Sequence, residues 1–104
     1  MKRGEVWWAQ LPEPAGRRPV VLLSRDSAYR VRSAVTVAPV TRTIRSIPVE
    51  VLVDKEDGLP SRCVVNLDDI TTLPKTLLTE RLTVLSAERM QKIDEAIRFA
   101  LDLA

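Results

Sequence analysis

Pro19-Val-Val-Leu-Leu-Ser24 is an unbroken apolar run, and it predicts a buried central strand. On its N-terminal side, Glu5-Val-Trp-Trp-Ala-Gln-Leu11 reads as a first strand, separated from it by the turn cluster Pro12-Glu-Pro-Ala-Gly16. Strand side chains alternate, so Trp7 and Trp8 must face opposite ways. One can fill the core. The other needs a cover, which a second subunit can supply. On the C-terminal side, beyond the polar segment Arg25–Arg32, Ser33-Ala-Val-Thr-Val-Ala-Pro39 is rich in β-branched residues and predicts a third strand.

The stretch 40–46 is rich in Arg and Thr with no apolar face and reads as a loop. Pro48-Val-Glu-Val-Leu-Val53 alternates as a fourth strand, with its proline at the first position, where no ladder bond is lost. Turn chemistry follows at Asp54–Pro60. Cys63–Leu67 is a short fifth strand, and Asp68-Asp69 opens the next turn. Ile70–Leu73 suggests another strand, Pro74–Leu78 one helical turn, and Arg81–Leu85 extended backbone. The final segment is helical. Ser86 is placed to cap it, Glu88 lies in the first turn, and Met90, Ile93, Ile97 and Leu101 recur at helical spacing. Short strands closed by one helix predict a mainly β single domain over 1–104, a small, strongly curved antiparallel sheet or barrel with a C-terminal α-helix.

Composition narrows the chemistry. The 104 residues contain no histidine, which removes the commonest general base, histidine zinc sites and a Ser-His-Asp triad. The single cysteine, Cys63, forms no intrachain disulfide and reads as a small buried hydrophobe. No apolar run approaches the ~18 residues of a membrane helix, and no apolar signal core follows the charged N-terminus, so a cytoplasmic protein without membrane contact is expected. The net charge of +2 is unevenly spread: residues 14–46 hold seven arginines against one acid, Asp26. That arrangement fits either a solvated basic face or a grip on an anion such as nucleic acid.

Three segments together resemble the MazF/PemK toxins: Arg3-Gly-Glu-Val-Trp-Trp-Ala9, Arg18-Pro-Val-Val-Leu-Leu-Ser24 and Val35-Thr-Val-Ala-Pro-Val-Thr41. Gly58–Val65, Asp68–Thr72 and Arg81–Ser86 follow in the family's order, so the resemblance spans the chain. It implies an SH3-like or CcdB/PemK-like barrel, dimeric through a strand and the terminal helix. It implies sequence-specific, metal-independent cleavage of single-stranded RNA, with no cofactor, leaving a 2′,3′-cyclic phosphate and a 5′-hydroxyl. A cognate antitoxin protein is the implied partner.

The resemblance also assigns roles. Arg18 matches a catalytic arginine and Thr41 the threonine that closes the third strand. Asp68 matches an aspartate that one relative uses as general base. A guanidinium grips phosphate oxygens bidentately, and with an ordinary pKa above ~12 it stabilises charge better than it accepts protons. Arg17, Arg42 and Arg45 flank this centre as candidates for RNA contacts, with Asp69, Ser24 and the stacking candidate Trp8. The chain departs from many relatives at Thr71, and from one branch at Asn66, where those carry arginine. Two other readings compete: a gyrase poison of the CcdB type on the same fold, and a non-catalytic SH3-like module binding RNA or protein.

Overall fold

The computed structural model describes all 104 residues. Seven strands form one antiparallel sheet: β1 (Glu5–Gln10), β2 (Arg17–Leu22), β3 (Ala34–Thr41), β4 (Glu50–Val53), β5 (Cys63–Asn66), β6 (Thr71–Pro74) and β7 (Leu78–Val84). The order across the sheet is β4-β5-β3-β2-β1-β7, with β6 also on β3. The unbroken apolar run lies in β2, between β1 and β3, and its centre is buried on both faces. Val21 faces a larger core with Val6, Ala38, Val51, Val65, Leu67 and Ile93. Its neighbours Val20 and Leu22 face a second core with Ala9, Tyr29, Val35 and Val37. An alternating strand suits one buried face; a strand with a core on each side must be apolar throughout.

β3 makes the sheet bend. Val20, Val21 and Leu22 pair with Pro39, Ala38 and Val37 along one edge. Along the other, Ala34–Val37 pair with β6, whereas Val40 and Thr41 pair with Val65 and Val64 of β5. The third strand therefore runs two residues beyond the expected end at Pro39, because β5 offers Val40 and Thr41 a ladder that a loop would not have. Thr41 thus stands at a strand end, beside the Arg-rich segment.

Two helices close the cores. α1 (Ala28–Val31) falls in the stretch expected to be merely polar; it buries Ala28 and Tyr29, and the Tyr29 hydroxyl donates to the Ser24 carbonyl at 3.0 Å. Four residues are too few for a periodic signal. α2 (Ala87–Ala100) follows the expected pattern, with Ser86 Oγ accepting from the Arg89 backbone N–H at 3.1 Å. Ile93 is completely buried against the larger core, so its truncation to Ala should cost about 2–5 kcal/mol. Leu101 departs from the expected stripe: α2 stops at Ala100 and Leu101 is exposed.

Neither tryptophan fills a core. Trp7 packs at the margin of the smaller one and donates its indole N–H to Glu5 Oε1 at 2.8 Å. One face of the Trp8 ring is covered by the guanidinium of Arg17. Mostly aliphatic side chains occupy the interior that one of the two was expected to fill.

Candidate active site

Arg18 lies near the start of β2 and Thr41 at the end of β3, and together they form the floor between two adjoining cavities. One, of about 350 Å³, is lined by Trp8, Arg17, Pro19, Arg42, Ser61 and Cys63 among others. The other, of about 290 Å³, holds Pro39, Arg45, Glu50, Asn66 and Asp69. Arg18, Thr41 and Thr43 line both, so the two make one cleft.

The hydrogen bonds leave the central groups ready for an anion. Arg18 uses Nε to donate to the Ala15 carbonyl at 3.2 Å. Its terminal nitrogens engage no acceptor and no carboxylate, so they are open to a phosphate. Thr41 Oγ1 accepts from the Thr43 backbone N–H at 3.2 Å, which leaves its hydroxyl proton to be donated elsewhere. Of the four cleft arginines, 17, 18, 42 and 45, only Arg17 has a carboxylate partner, Glu80 at 3.5 Å on an exposed surface. A contact of that kind neutralises little. The cleft gathers four arginines, three of them without a carboxylate partner, around the hydroxyls of Thr41, Thr43 and Ser61.

Two carboxylates enter it. A 3₁₀ turn at Leu67–Asp69 sets the acidic pair apart: Asn66 Oδ1 accepts from the Asp68 backbone N–H at 2.9 Å, and Asn66 Nδ2 donates to Asp69 Oδ2 at 3.0 Å. Both aspartates are solvent-exposed, but Asp69 is thereby drawn to the wall of the cleft, while Asp68 lines neither cavity. The expectation placed Asp68 at the reacting centre; successive residues of a tight turn point apart, and the geometry brings its neighbour instead. Ser24 is likewise not brought to the cleft. Its Oγ accepts from the Thr36 backbone N–H at 2.8 Å, fastening the end of β2 to β3. Arg17, Arg42 and Arg45 do line the cleft, as does Trp8.

The second carboxylate, Glu50, was read only as the polar member of an alternating strand. It lines the cleft opposite Asn66 in the β4–β5 register, and Glu50 Oε1 accepts from the backbone N–H groups of Arg45 and Ser46 at 2.9 and 3.0 Å. Thr43 and Ser61 also line the cleft without a sequence-based assignment: Thr43 sits in no motif, and Gly58–Val65, which contains Ser61, carried no residue role. The first acid after the Arg/Thr segment, four residues beyond Ser46, is the available signal for Glu50.

Cys63 touches the cleft but is 4% exposed, with Sγ donating to the Ser61 carbonyl at 3.2 Å. Burial pushes its thiol pKa up, and Asp54 adds to this against the opposing effect of Arg42. A protonated thiol is a poor nucleophile. No three Cys, Asp or Glu side chains converge as a metal-binding group. No helix is long and apolar enough to cross a membrane.

Known proteins resemble the chain along its whole length. Residues 2–101 match the family model described as PemK-like, MazF-like toxin of type II toxin–antitoxin system. The chain is 46% identical over 102 residues to a Mycobacterium tuberculosis protein named probable endoribonuclease MazF5, covering 96% of this chain and 92% of that one. It is 35% identical to endoribonuclease EndoA of Bacillus subtilis, covering 99% and 96%. Among solved structures, Mycobacterium tuberculosis toxin MazF-mt6 superposes with a TM-score of 0.89 at 36% identity, covering 96% and 98%. A mycobacterial endoribonuclease in complex with its cognate antitoxin gives 0.89 at 31% identity, covering 100% and 97%.

Proposed function

The chain belongs to the PemK-like, MazF-like toxin family, as an endoribonuclease toxin of a toxin–antitoxin system, and from that premise we propose that its arginine-lined cleft cuts single-stranded RNA by using the substrate's own 2′-hydroxyl. The 2′-oxygen attacks phosphorus, the P–O5′ bond breaks, and a 2′,3′-cyclic phosphate and a 5′-hydroxyl result. The 2′-hydroxyl proton passes to a base, and the departing 5′-oxygen gains a proton. DNA lacks the nucleophile and is left intact.

The observation that carries this reading is the Arg18–Thr41 pair, whose free N–H and O–H donors share one cleft. Both donate to the non-bridging oxygens as charge builds on them, an oxyanion-type stabilisation that needs no metal ion or cofactor. Asp69 takes the role that the motif match gave to Asp68, because its carboxylate lies in the cleft. Arg17, Arg42 and Arg45 hold flanking phosphates.

The partners follow from the same reading: RNA, a cognate antitoxin that occupies the basic cleft, and a second copy of the chain. Support for a homodimer comes from β4, whose outer edge carries no further strand. Beside it, Leu52 and Phe99 are exposed along a groove between β4 and α2. The cytoplasm, where RNA is available, is the proposed location. The gyrase-poison reading leaves the free Arg18 and Thr41 donors without a task, and relatives named as endoribonucleases weigh against it and against a non-catalytic binding module.

The test is cleavage of an RNA containing every trinucleotide, in excess EDTA, with the new ends mapped. Discrete cuts with 5′-hydroxyl ends, abolished in both Arg18→Ala and Thr41→Ala, are expected. Intact RNA under these conditions, or cuts that survive both substitutions, overturns the mechanism.

A further inference from the structure

An anion-binding cleft that contains a glutamate raises a physical question. Glu50 shares its cavity with Arg18, Thr41 and Arg45, so its charge opposes any phosphate entering there. Yet Glu50 forms no ion pair. Its recorded partners are two successive backbone N–H groups, those of Arg45 and Ser46, both on Oε1. Ser46 has φ +56, left-handed backbone that a residue with a Cβ adopts at a cost of about 1 kcal/mol or more. The segment between β3 and β4 is otherwise exposed until Val49; its remaining hydrogen bonds lie at its two ends, Thr43 N–H to Thr41 Oγ1 at 3.2 Å, and Glu50 N–H to the Ile47 carbonyl and Leu67 N–H to the Val49 carbonyl, both at 2.9 Å. At the strained Ser46 itself, both the Arg45 and Ser46 N–H groups are held by the one Glu50 side chain.

Glu50 also has a counterpart. Its cross-strand neighbour Asn66 fastens the opposite wall through Asp68 and Asp69. Adjacent residues on adjacent strands thus each tie down one lip of the cleft.

We propose that Glu50 is a positioning residue, a clasp that holds the Arg42–Ser46 segment over the cleft so that Arg42, Thr43 and Arg45 are arranged before RNA arrives. This inference deepens the ribonuclease reading and rests on it for the identity of the ligand. Preordering donors saves entropy that binding would otherwise spend, so the clasp acts on RNA capture. It works by reach. An amide oxygen at the same distance accepts the same two N–H groups, whereas a side chain one methylene shorter does not span the gap.

Three substitutions separate reach from charge. Glu50→Gln keeps reach and removes charge; Glu50→Asp keeps charge and loses reach; Glu50→Ala loses both. The first readout needs no RNA: trypsin cleavage after Arg42 and Arg45, followed by mass spectrometry on native protein. Cleavage there tracks opening of the segment, and Asp and Ala variants should be cut about tenfold or more faster than wild type, with Gln within about threefold. The second readout is RNA kinetics in EDTA. The Asp and Ala variants should raise KM about tenfold with kcat changed less than about threefold, whereas Gln, relieved of a repulsive charge, should hold or lower KM. If Asp stays protected while Gln opens, charge and not reach is what Glu50 supplies, and the proposal falls. It falls equally if all three stay protected. Wild-type protein that leaves RNA intact while the protection pattern appears as expected would sink the ribonuclease mechanism and leave the clasp standing.

Discussion

The guanidinium carbon of Arg17 lies 4.2 Å from the centroid of the Trp8 ring. The stack fixes a long, flexible cation at the mouth of the cleft without neutralising it. If Arg17 contacts a phosphate, Arg17→Ala should raise KM about three- to tenfold, leave kcat nearly unchanged and shallow the salt dependence by about 0.7 in log–log slope. Trp8 emission should shift to the red as the ring meets water. A variant with an unchanged salt slope would remove Arg17 from the RNA contacts.

That stack also shows where the sequence stopped being informative. Alternation correctly put Trp7 and Trp8 on opposite faces, but nothing local told that an arginine nine residues on would cover one of them. The strands themselves were legible, because β2 and β3 carry apolar, β-branched runs that a curved sheet with two cores requires. Arg18 and Thr41 were legible only through an ordered set of motifs. Asp69 was legible as an RNA-contact candidate but not its precedence over Asp68, and Glu50 was not legible at all, because these depend on one tight turn and on β4–β5 register, both tertiary facts. The same applies to α1, whose role rests on burying Tyr29, a contact that no periodicity announces.

Asp68 and Asp69 are exposed neighbours of which only Asp69 lines the cleft, which makes them a controlled pair. Asp69→Asn preserves an acceptor for Asn66 but no longer takes a proton, and should lower single-turnover cleavage about a hundredfold. Asp68→Asn, changed on the outer side of the turn, should stay within about twofold of wild type, as surface substitutions usually do. A reversed order would return the proton-accepting role to Asp68 and show that the turn rearranges when RNA binds.

Burial pushes the Tyr29 hydroxyl up to about 12, against an ordinary value of 10.0. The folded chain thus keeps a proton that the unfolded chain releases first. Stability from this group is whole below pH 10 and is lost as pH rises towards 12, by at most about 2–3 kcal/mol. Tyr29→Phe cannot titrate, so its urea midpoint should fall less between pH 9.5 and 11.5 than that of wild type, roughly by this linkage. The variant also loses the bond to the Ser24 carbonyl, which lowers its midpoint at neutral pH. Parallel declines for both proteins over the alkaline range would show that Tyr29 is not the group responsible.

Gly58 and Gly16 both have positive φ, +91 and +64, yet they should differ in what an alanine costs. At Gly16 an added Cβ meets only the Glu13 carboxylate, at 3.6 Å, so Gly16→Ala carries the backbone penalty alone, about 1 kcal/mol. At Gly58 the same atom would lie 2.7 Å from Thr83 Cβ, an atom fixed by the β7 backbone that cannot rotate away. The turn cannot retreat easily either. Asp57 accepts from Thr83 Oγ1 at 3.1 Å through its carbonyl and pairs with Arg89 at 3.1 Å, and Leu59 is buried in the larger core. Gly58→Ala should therefore cost about 2 kcal/mol or more, lowering Tm by about 8 °C or more, clearly beyond Gly16→Ala. Because Pro60 and Ser61 continue from this turn into the cleft, the surviving folded fraction should also bind RNA less tightly. Equal melting temperatures for the two variants would mean that β7 yields at Thr83 and that the turn is held less firmly than its hydrogen bonds indicate.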